Sequence, residues 1–80
     1  MGINSEFKPF FSYSPEEYVI YINDRTGAKV FEAKDENMGW DGRLMNGKPA
    51  NEGVYTYYLK YTTKLGRFVQ KTGTFVLISQ

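Results

Sequence analysis

Two stretches of the chain have the residue pattern of β-strands. In Gly53–Thr62 the large side chains fall on one face, and polar side chains such as Thr56 and Lys60 fall on the other. The large side chains are Tyr55, Tyr57, Leu59 and Tyr61. Glu17–Asn23 is apolar on both faces, which is typical of a central strand that is covered at least in part on each side.

Each of these strands is followed by a turn and a second apolar stretch, which predicts two β-hairpins. Asp24–Gly27 is a turn whose glycine can take a positive φ, and it leads into a strand over Ala28–Ala33. Thr63–Gly66 is a turn that leads into the last strand, Arg67–Ser79. Gly73 within that strand indicates either a β-bulge or a point of close packing.

The remaining segments are less regular. Glu6–Phe11 is short, apolar and interrupted by Pro9, which restricts a strand to the edge or the end of a sheet. Lys34–Glu52 is a turn-rich connection of nineteen residues, as long as a Greek key or a sandwich crossover needs. Trp40 lies in its middle, so we expect this side chain to be largely buried and to hold the loop on the core. Together these elements predict an all-β, immunoglobulin-like antiparallel β-sandwich of about six or seven short strands, as one domain over residues 1–80.

The composition agrees with strands and excludes several classes of function. Seven Tyr and six Phe against four Leu and three Ala favour strands, and we assign the aromatic residues to core packing rather than to a base- or sugar-stacking platform. The absence of Cys and His excludes thiol and imidazole nucleophiles and metal ligands. A net charge of +1 gives no attraction to nucleic acid or to an anionic membrane. No apolar run approaches the roughly 18–20 residues of a membrane span, so we expect no direct membrane insertion.

The acidic residues suggest two kinds of site, and neither is favoured over a structural role. Asp41 is expected to accept backbone N–H groups of its own loop, as in an Asx turn. The alternative is a calcium site built from side chains that lie close together in the sequence: Asp35, Glu36, Asn37 and Asp41. That spacing does not match the EF-hand loop. Paired carboxylates for glycoside hydrolysis, at Glu16–Glu17 or Asp35–Glu36, would need a cleft that a thin sandwich does not offer.

The basic residues are scattered, which is typical of a solvated surface with lysines that discourage strand-to-strand aggregation. Four of them belong to the last hairpin and could together meet an acidic patch on a partner: Lys60, Lys64, Arg67 and Lys71. No glycine-rich phosphate-binding motif is present. We therefore predict a protein that is not an enzyme, with no catalytic residue, no metal ligand and no cofactor.

An ordered set of short motifs resembles one known family over essentially the whole chain. The motifs are Gly2-Ile3-Asn4, Phe7-Lys8-Pro9, Gly27–Glu32, Gly39-Trp40-Asp41-Gly42, Asn46–Ala50, Gly53-Val54-Tyr55 and Lys71–Thr74. Each motif is weak alone, but the W-D-G loop followed by N-G-x-P-A and G-V-Y-x-Y is specific as a set. The set resembles the gliding-motility-associated C-terminal domain of Bacteroidetes, the type B sorting domain of the type IX secretion system.

The resemblance implies an immunoglobulin-like sandwich at the C-terminus of a larger exported protein. Its role would be non-catalytic, in secretion and cell-surface attachment, through a partner in the secretion apparatus or a surface receptor. The location would be extracellular or on the outer-membrane-associated cell surface. The alternative is a generic immunoglobulin-like interaction or spacer module of an extracellular protein, or one that contacts carbohydrate.

The chain departs from the family pattern in three places. Thr26 stands where the family has Trp, Ser5 replaces an Asp, and a strand that normally precedes Gly2 is missing. Residues 1–2 are expected to come from a start codon or from cloning. A missing strand would leave an open sheet edge, so we expect either a weak homodimer or a dependence on the upstream segment. The expected contact is the apolar stretch Phe7–Phe11 or the strand beside it.

Overall fold

The computed structural model describes residues 7–78, and these form a single antiparallel sheet. Its strands are β1 (Glu17–Asn23), β2 (Lys29–Ala33), β3 (Gly53–Thr62) and β4 (Phe68–Leu77). The order across the sheet is β2-β1-β3-β4, so β1 is central, as predicted. The all-β class and both hairpins are confirmed. Residues 7–78 contain no helix of the length and apolarity that crossing a membrane requires.

The structure differs from the sequence prediction in the number of strands and in the number of sheets. Residues 7–78 form four strands in one sheet, not six or seven strands in two. The segment Glu6–Phe11 was expected to form a strand. Within it Phe7 forms an isolated bridge to Trp40, residues 8–11 form no strand, and Glu6 lies outside the described residues. Pro9 has no N–H to donate, which agrees with the end of this pairing after one residue. Ser79, the expected end of the last strand, also lies outside the described residues.

One type of turn is used three times. In Asp24–Ala28, Leu44–Lys48 and Thr63–Arg67, the first residue donates its N–H to the carbonyl of the fifth, at 2.9, 2.8 and 2.8 Å. The fourth residue is always glycine, with φ of +94°, +88° and +86°. This is the common three-residue hairpin loop, whose last position is left-handed and therefore favours glycine. The glycine in these turns is thus a backbone requirement.

The sheet buries one face, under a cover made of irregular chain. One buried cluster contains Tyr18, Ile20, Ala33 and Leu59, and a second contains Ile22, Trp40, Ala50 and Tyr55. Three side chains pack against both clusters: Phe7, Phe31 and Tyr57. The cover comes from the N-terminal segment, through Phe7 and Phe11, and from the long connection after β2. These two segments lie where the second sheet was expected.

The other face of the sheet has no covering layer among the described residues. Phe68 and Val76 on β4 are 61% and 62% exposed. Val19 and Tyr21 on β1 are half-buried. The sequence predicted that β1 is covered on both faces. Its outer face is instead only partly shielded, by the neighbouring strands of the sheet.

Gly73 marks close packing and not a bulge. It pairs with Tyr57 in a register that runs without a break from Gly53↔Leu77 to Thr62↔Phe68. A Cβ at this position would lie 2.8 Å from two atoms of the Tyr57 side chain. The ring of Tyr57 therefore occupies the space that any other residue would need.

We expect Gly73→Ala to destabilise the fold by about 1–3 kcal/mol, because the Tyr57 ring must move and it packs against both clusters. Urea unfolding gives the free energy. Thr74→Ala, an exposed neighbour on the same strand, is the control and should change it far less. If Gly73→Ala were neutral or stabilising, as relief of glycine's backbone entropy alone would give, the packing account would be wrong.

Candidate functional site

Most of the residues considered for a site from the sequence lie in the connection 34–52, which we call the Trp40 loop. Trp40 is 3% exposed, which confirms its predicted burial. Its backbone pairs with Phe7, with N–H···O distances of 2.9 and 3.0 Å. Its indole N–H donates to the carbonyl of Arg43 at 3.0 Å. Its ring centroid lies 5.1 Å from that of Tyr55, so the residue is held by ring packing, by its indole hydrogen bond and by its backbone pairing.

Asp41 has the structural role that was expected for it. Its Oδ1 accepts the backbone N–H of Arg43 at 3.1 Å, which is an Asx turn. Gly42 follows with φ +83°, a left-handed conformation that only glycine takes easily. A Cβ on Gly42 would still stand 3.5 Å from Leu77, so the space there is adequate and the backbone conformation is the constraint.

Beyond Gly42 the loop folds back as a small hairpin, residues 42–50, which we call the tip hairpin. Arg43 and Pro49 form its isolated bridge, and the N–H of Ala50 donates to the carbonyl of Gly42 at 2.8 Å. Asn46 Oδ1 accepts the N–H of Lys48 at 2.9 Å, and the Arg43 guanidinium donates to the carbonyl of Gly47 at 3.0 Å. The backbone of the tip hairpin is therefore held by several hydrogen bonds although it is exposed.

The tip hairpin and the outer edge of β2 enclose a cleft of about 470 Å³. Trp40 and Phe31 lie at its base, and the exposed side chain of Met45 lies at its rim. Lys29 and Glu32 form an ion pair at 2.5 Å on the β2 side. Asp41 and Arg43 also line the cleft, which therefore combines an apolar base with charged side chains at its border.

Two tyrosine hydroxyls near the core differ in their surroundings. Tyr55 donates to the carbonyl of Asn51 at 2.6 Å and so fixes the end of the Trp40 loop where β3 begins. Burial, followed by the charge of Asp24, raises the pKa of Tyr55. The Tyr18 hydroxyl is buried without a hydrogen-bond partner. Burial, and then the nearby charge of Glu36, raises the pKa of Tyr18 to about 12.

The other acidic residues singled out from the sequence are not brought together. Asp35 forms its own Asx turn, with its Oδ1 accepting the N–H of Asn37 at 2.8 Å. Glu17 accepts the hydroxyl of Thr62 at 3.2 Å. Among residues 7–78 no group of three or more carboxylates lies close enough to hold a metal ion. The calcium alternative at Asp35, Glu36, Asn37 and Asp41 therefore has no support in the structure.

The four basic residues of the last hairpin do not form one patch. Lys60 pairs with Gln70 and Lys71 pairs with Leu59, so strand alternation places Lys60 and Lys71 on opposite faces of the sheet. Lys64 lies in the turn, with its Nζ 5.8 Å from the ring centroid of Tyr13. The expected basic surface for an acidic partner is thus divided between two faces.

Some residues that hold the site were not singled out from the sequence. Phe75 stacks on Phe7 with ring centroids 3.9 Å apart, and this contact holds the N-terminal segment over the core. The backbone carbonyl of Arg43 accepts the Trp40 indole N–H, and its guanidinium donates to the Gly47 carbonyl in the turn of the tip hairpin. The signals that could have pointed to Arg43 are the Asn46-Gly47 turn dipeptide and the distance of three residues from Trp40 to Arg43; no short pattern points to Phe75.

We expect Trp40→Ala to cost about 3–5 kcal/mol of stability, because it leaves a large cavity under the loop and removes the indole bond. Thermal or urea unfolding followed by circular dichroism measures the loss. Met45→Ala, at a side chain 96% exposed in the same loop, is the control and should lie within about 0.5 kcal/mol of the parent. A small cost for Trp40→Ala would show that the indole does not hold the loop.

The two tyrosine hydroxyls provide a matched pair of phenylalanine variants. Tyr55→Phe should cost about 1–2 kcal/mol because the Asn51 carbonyl loses its donor. Tyr18→Phe should cost nothing, or stabilise, because it removes a buried hydroxyl that has no partner. Both free energies come from the same urea titration. Equal losses in the two variants would contradict the hydrogen-bond assignments.

The comparisons with known proteins agree with the motifs. The sequence model of the CHU_C type IX secretion signal domain matches residues 2–77. This range includes all four strands and the whole Trp40 loop. A search of curated proteins gives no match, and a search of solved structures gives none. The match over nearly the full length shows that the chain belongs to the CHU_C family of type IX secretion signal domains.

Proposed function

We propose that this chain is a non-catalytic sorting domain that a protein of the type IX secretion apparatus recognises, so that a larger protein is exported and attached at the cell surface. The observation that carries this proposal is the family match over residues 2–77. A secretion signal domain of this type implies a protein that reaches the cell surface or the extracellular space. We further propose that the domain attaches the exported protein to the cell surface in association with the outer membrane.

The tip hairpin is the surface that we assign to recognition by the apparatus. Its backbone is held by hydrogen bonds before any partner arrives, so binding would order few additional groups. Met45 projects from it with 96% of its surface exposed, and methionine is enriched in protein interfaces. Arg43 and Lys48 are exposed residues of the same hairpin, which therefore carries an apolar side chain and two positive charges.

We also propose that the domain is an immunoglobulin-like sandwich. An immunoglobulin-like sandwich is supported by Tyr55, whose hydroxyl bonds to the backbone four residues upstream, as in the tyrosine corner of such domains. The isolated bridges Phe7↔Trp40 and Arg43↔Pro49 are antiparallel pairings in the segments outside the four-stranded sheet. We propose in the same sense that the domain is of the gliding-motility-associated type of Bacteroidetes.

The alternative, an interaction or spacer module that contacts carbohydrate, has one observation in its favour. Tyr21 and Tyr58 are direct neighbours across β1 and β3 on the uncovered face of the sheet. Tyr58 is 41% exposed, which makes its ring available for stacking. This module would not direct export, and a secretion experiment therefore distinguishes it from a sorting domain.

The test attaches the chain to the C-terminus of a fluorescent protein with an export leader, in a bacterium that has a type IX apparatus. We expect the fusion to reach the cell surface or the medium, and the reporter without the domain to stay in the periplasm. Retention of the intact, folded fusion in the periplasm would contradict the sorting function.

A charged variant tests the tip hairpin separately. Met45→Asp should reduce export about tenfold, the effect of roughly 1.4 kcal/mol of lost binding. Leu65→Asp is the matched control, because Leu65 is 97% exposed in a turn of the same type after β3. Equal export of both variants and the parent would leave the sorting function intact and exclude the tip hairpin as the recognised surface.

A further inference from the structure

The two edges of the sheet are protected to very different degrees within residues 7–78. The β2 edge is five residues long, has a register shift opposite Ile22/Asn23, and carries the charges of Lys29 and Glu32. Short length, irregular register and charge are the usual means of blocking an edge. The β4 edge is ten residues long and regular, and Lys71 is its one charged residue. Apart from Lys71, nothing in Phe68–Leu77 discourages another strand from pairing there.

The hydrogen-bonding pattern shows which residues of β4 face this open edge. The N–H of Thr63 donates to the carbonyl of Arg67, so this pair is a hydrogen-bonded pair of the ladder. Bonded and non-bonded pairs alternate in an antiparallel ladder, and the register of β3 and β4 has no break. Every second residue therefore directs its N–H and C=O away from β3: Phe68, Gln70, Thr72, Thr74 and Val76.

These five residues also place their side chains on the uncovered face of the sheet. Phe68 and Val76, at the two ends of the row, are 61% and 62% exposed, and the three between them are neutral and polar. The row is therefore apolar at both ends and polar in the middle. It has nearly the same character when read in either direction, which is what a two-fold symmetric contact requires.

We propose that β4 pairs with β4 of a second copy of this chain, antiparallel, about a two-fold axis at Thr72. In this register Thr72 of one copy faces Thr72 of the other. Gln70 of each copy faces Thr74 of the other, and Phe68 faces Val76. All five outward residues are then in hydrogen-bonded pairs. Each exposed phenyl ring packs beside a valine of the other copy, and the two sheets join into one of eight strands.

The neighbouring registers are less favourable. An axis at Lys71 would place the two Lys71 side chains directly opposite each other, and like charges in that position are destabilising. An axis at Gly73 would pair Phe68 with Ile78, which lies beyond the end of β4. With the axis at Thr72, Lys71 faces Gly73, which has no side chain to meet it. Charge and strand length thus select the same register.

This contact differs from the one expected from the sequence, which was the stretch Phe7–Phe11. Phe7 and Phe11 pack on the core clusters of their own chain, and Phe10 is exposed. The inference does not depend on the proposed sorting function. The other candidate occupants of the β4 edge, an upstream segment or a strand of another protein, would leave the isolated chain monomeric.

Because the chain has no cysteine, a single introduced cysteine reports the register. Thr72→Cys should give a disulfide-linked dimer under mild oxidation, because bonded antiparallel pairs have Cα atoms about 5.5 Å apart, within the roughly 4.4–6.8 Å range of disulfides. Thr74→Cys is the matched control, also exposed and on the same row. Its two copies would lie four residues apart along the strands, about 13 Å, and should not cross-link. Failure of Thr72→Cys to cross-link, or equal cross-linking of both variants, would overturn the proposal.

A charge pair tests the contact without a covalent bond. Sedimentation should show the parent chain as a dimer at high concentration and both Thr72→Lys and Thr72→Glu as monomers. An equimolar mixture of the two variants should restore the dimer, because opposite charges then meet across the axis. A parent that stays monomeric, or a Thr72→Lys variant that still dimerises, would contradict the proposal. Circular dichroism of each variant checks that the fold is retained.

Discussion

The structure depends on one constraint, which is that a single four-stranded sheet must bury one apolar face without a second sheet to cover it. The cover consists of irregular chain, and irregular chain brings backbone N–H and C=O groups that need partners when they are buried. Trp40 meets both needs at once. Its ring fills the centre of one core cluster, and its backbone pairs with Phe7 from the other covering segment. The two segments therefore hold each other as well as the sheet.

The position of the tip hairpin follows from this arrangement. The Trp40 indole bonds to Arg43, and Tyr55 bonds to Asn51, so the loop is attached to the core close to both ends of residues 42–50. Between these points the chain has to leave the core, and the bridge Arg43↔Pro49 keeps it in one conformation as it does so. The hairpin is therefore exposed in one defined conformation, and this is the reason that we propose it as the surface recognised by the secretion apparatus.

The sequence allowed the strands and their faces to be predicted because side-chain alternation is a local property. The strand faces of β1 and β3, the turn glycines and the burial of Trp40 all follow from patterns within about ten residues. What covers a face is not local. The apolar pattern of Glu17–Asn23 is the same whether a second sheet or an irregular loop lies over it, so the sandwich with its second sheet was expected where the described residues show one sheet.

In the candidate site, too, local contacts could be predicted from the sequence and long-range contacts could not. Asp41 could be assigned to an Asx turn because its partner is two residues away. The separation of Lys60 from Lys71 depends on the pairing of β3 with β4, and the Tyr57 ring over Gly73 depends on the same pairing. The stack of Phe7 on Phe75 joins positions at the two ends of the chain, and no short pattern signals such a contact.

Amide hydrogen exchange in solution tests most directly whether the irregular cover is part of the cooperative fold. The account predicts that the Trp40 indole N–H and the backbone N–H groups of Phe7, Leu44 and Ala50 exchange as slowly as those of β3, since all of them open only when the sheet is uncovered. Exchange of these groups at the rate of an exposed loop, while β3 stays protected, would contradict it. The sheet would then be stable without the Trp40 loop.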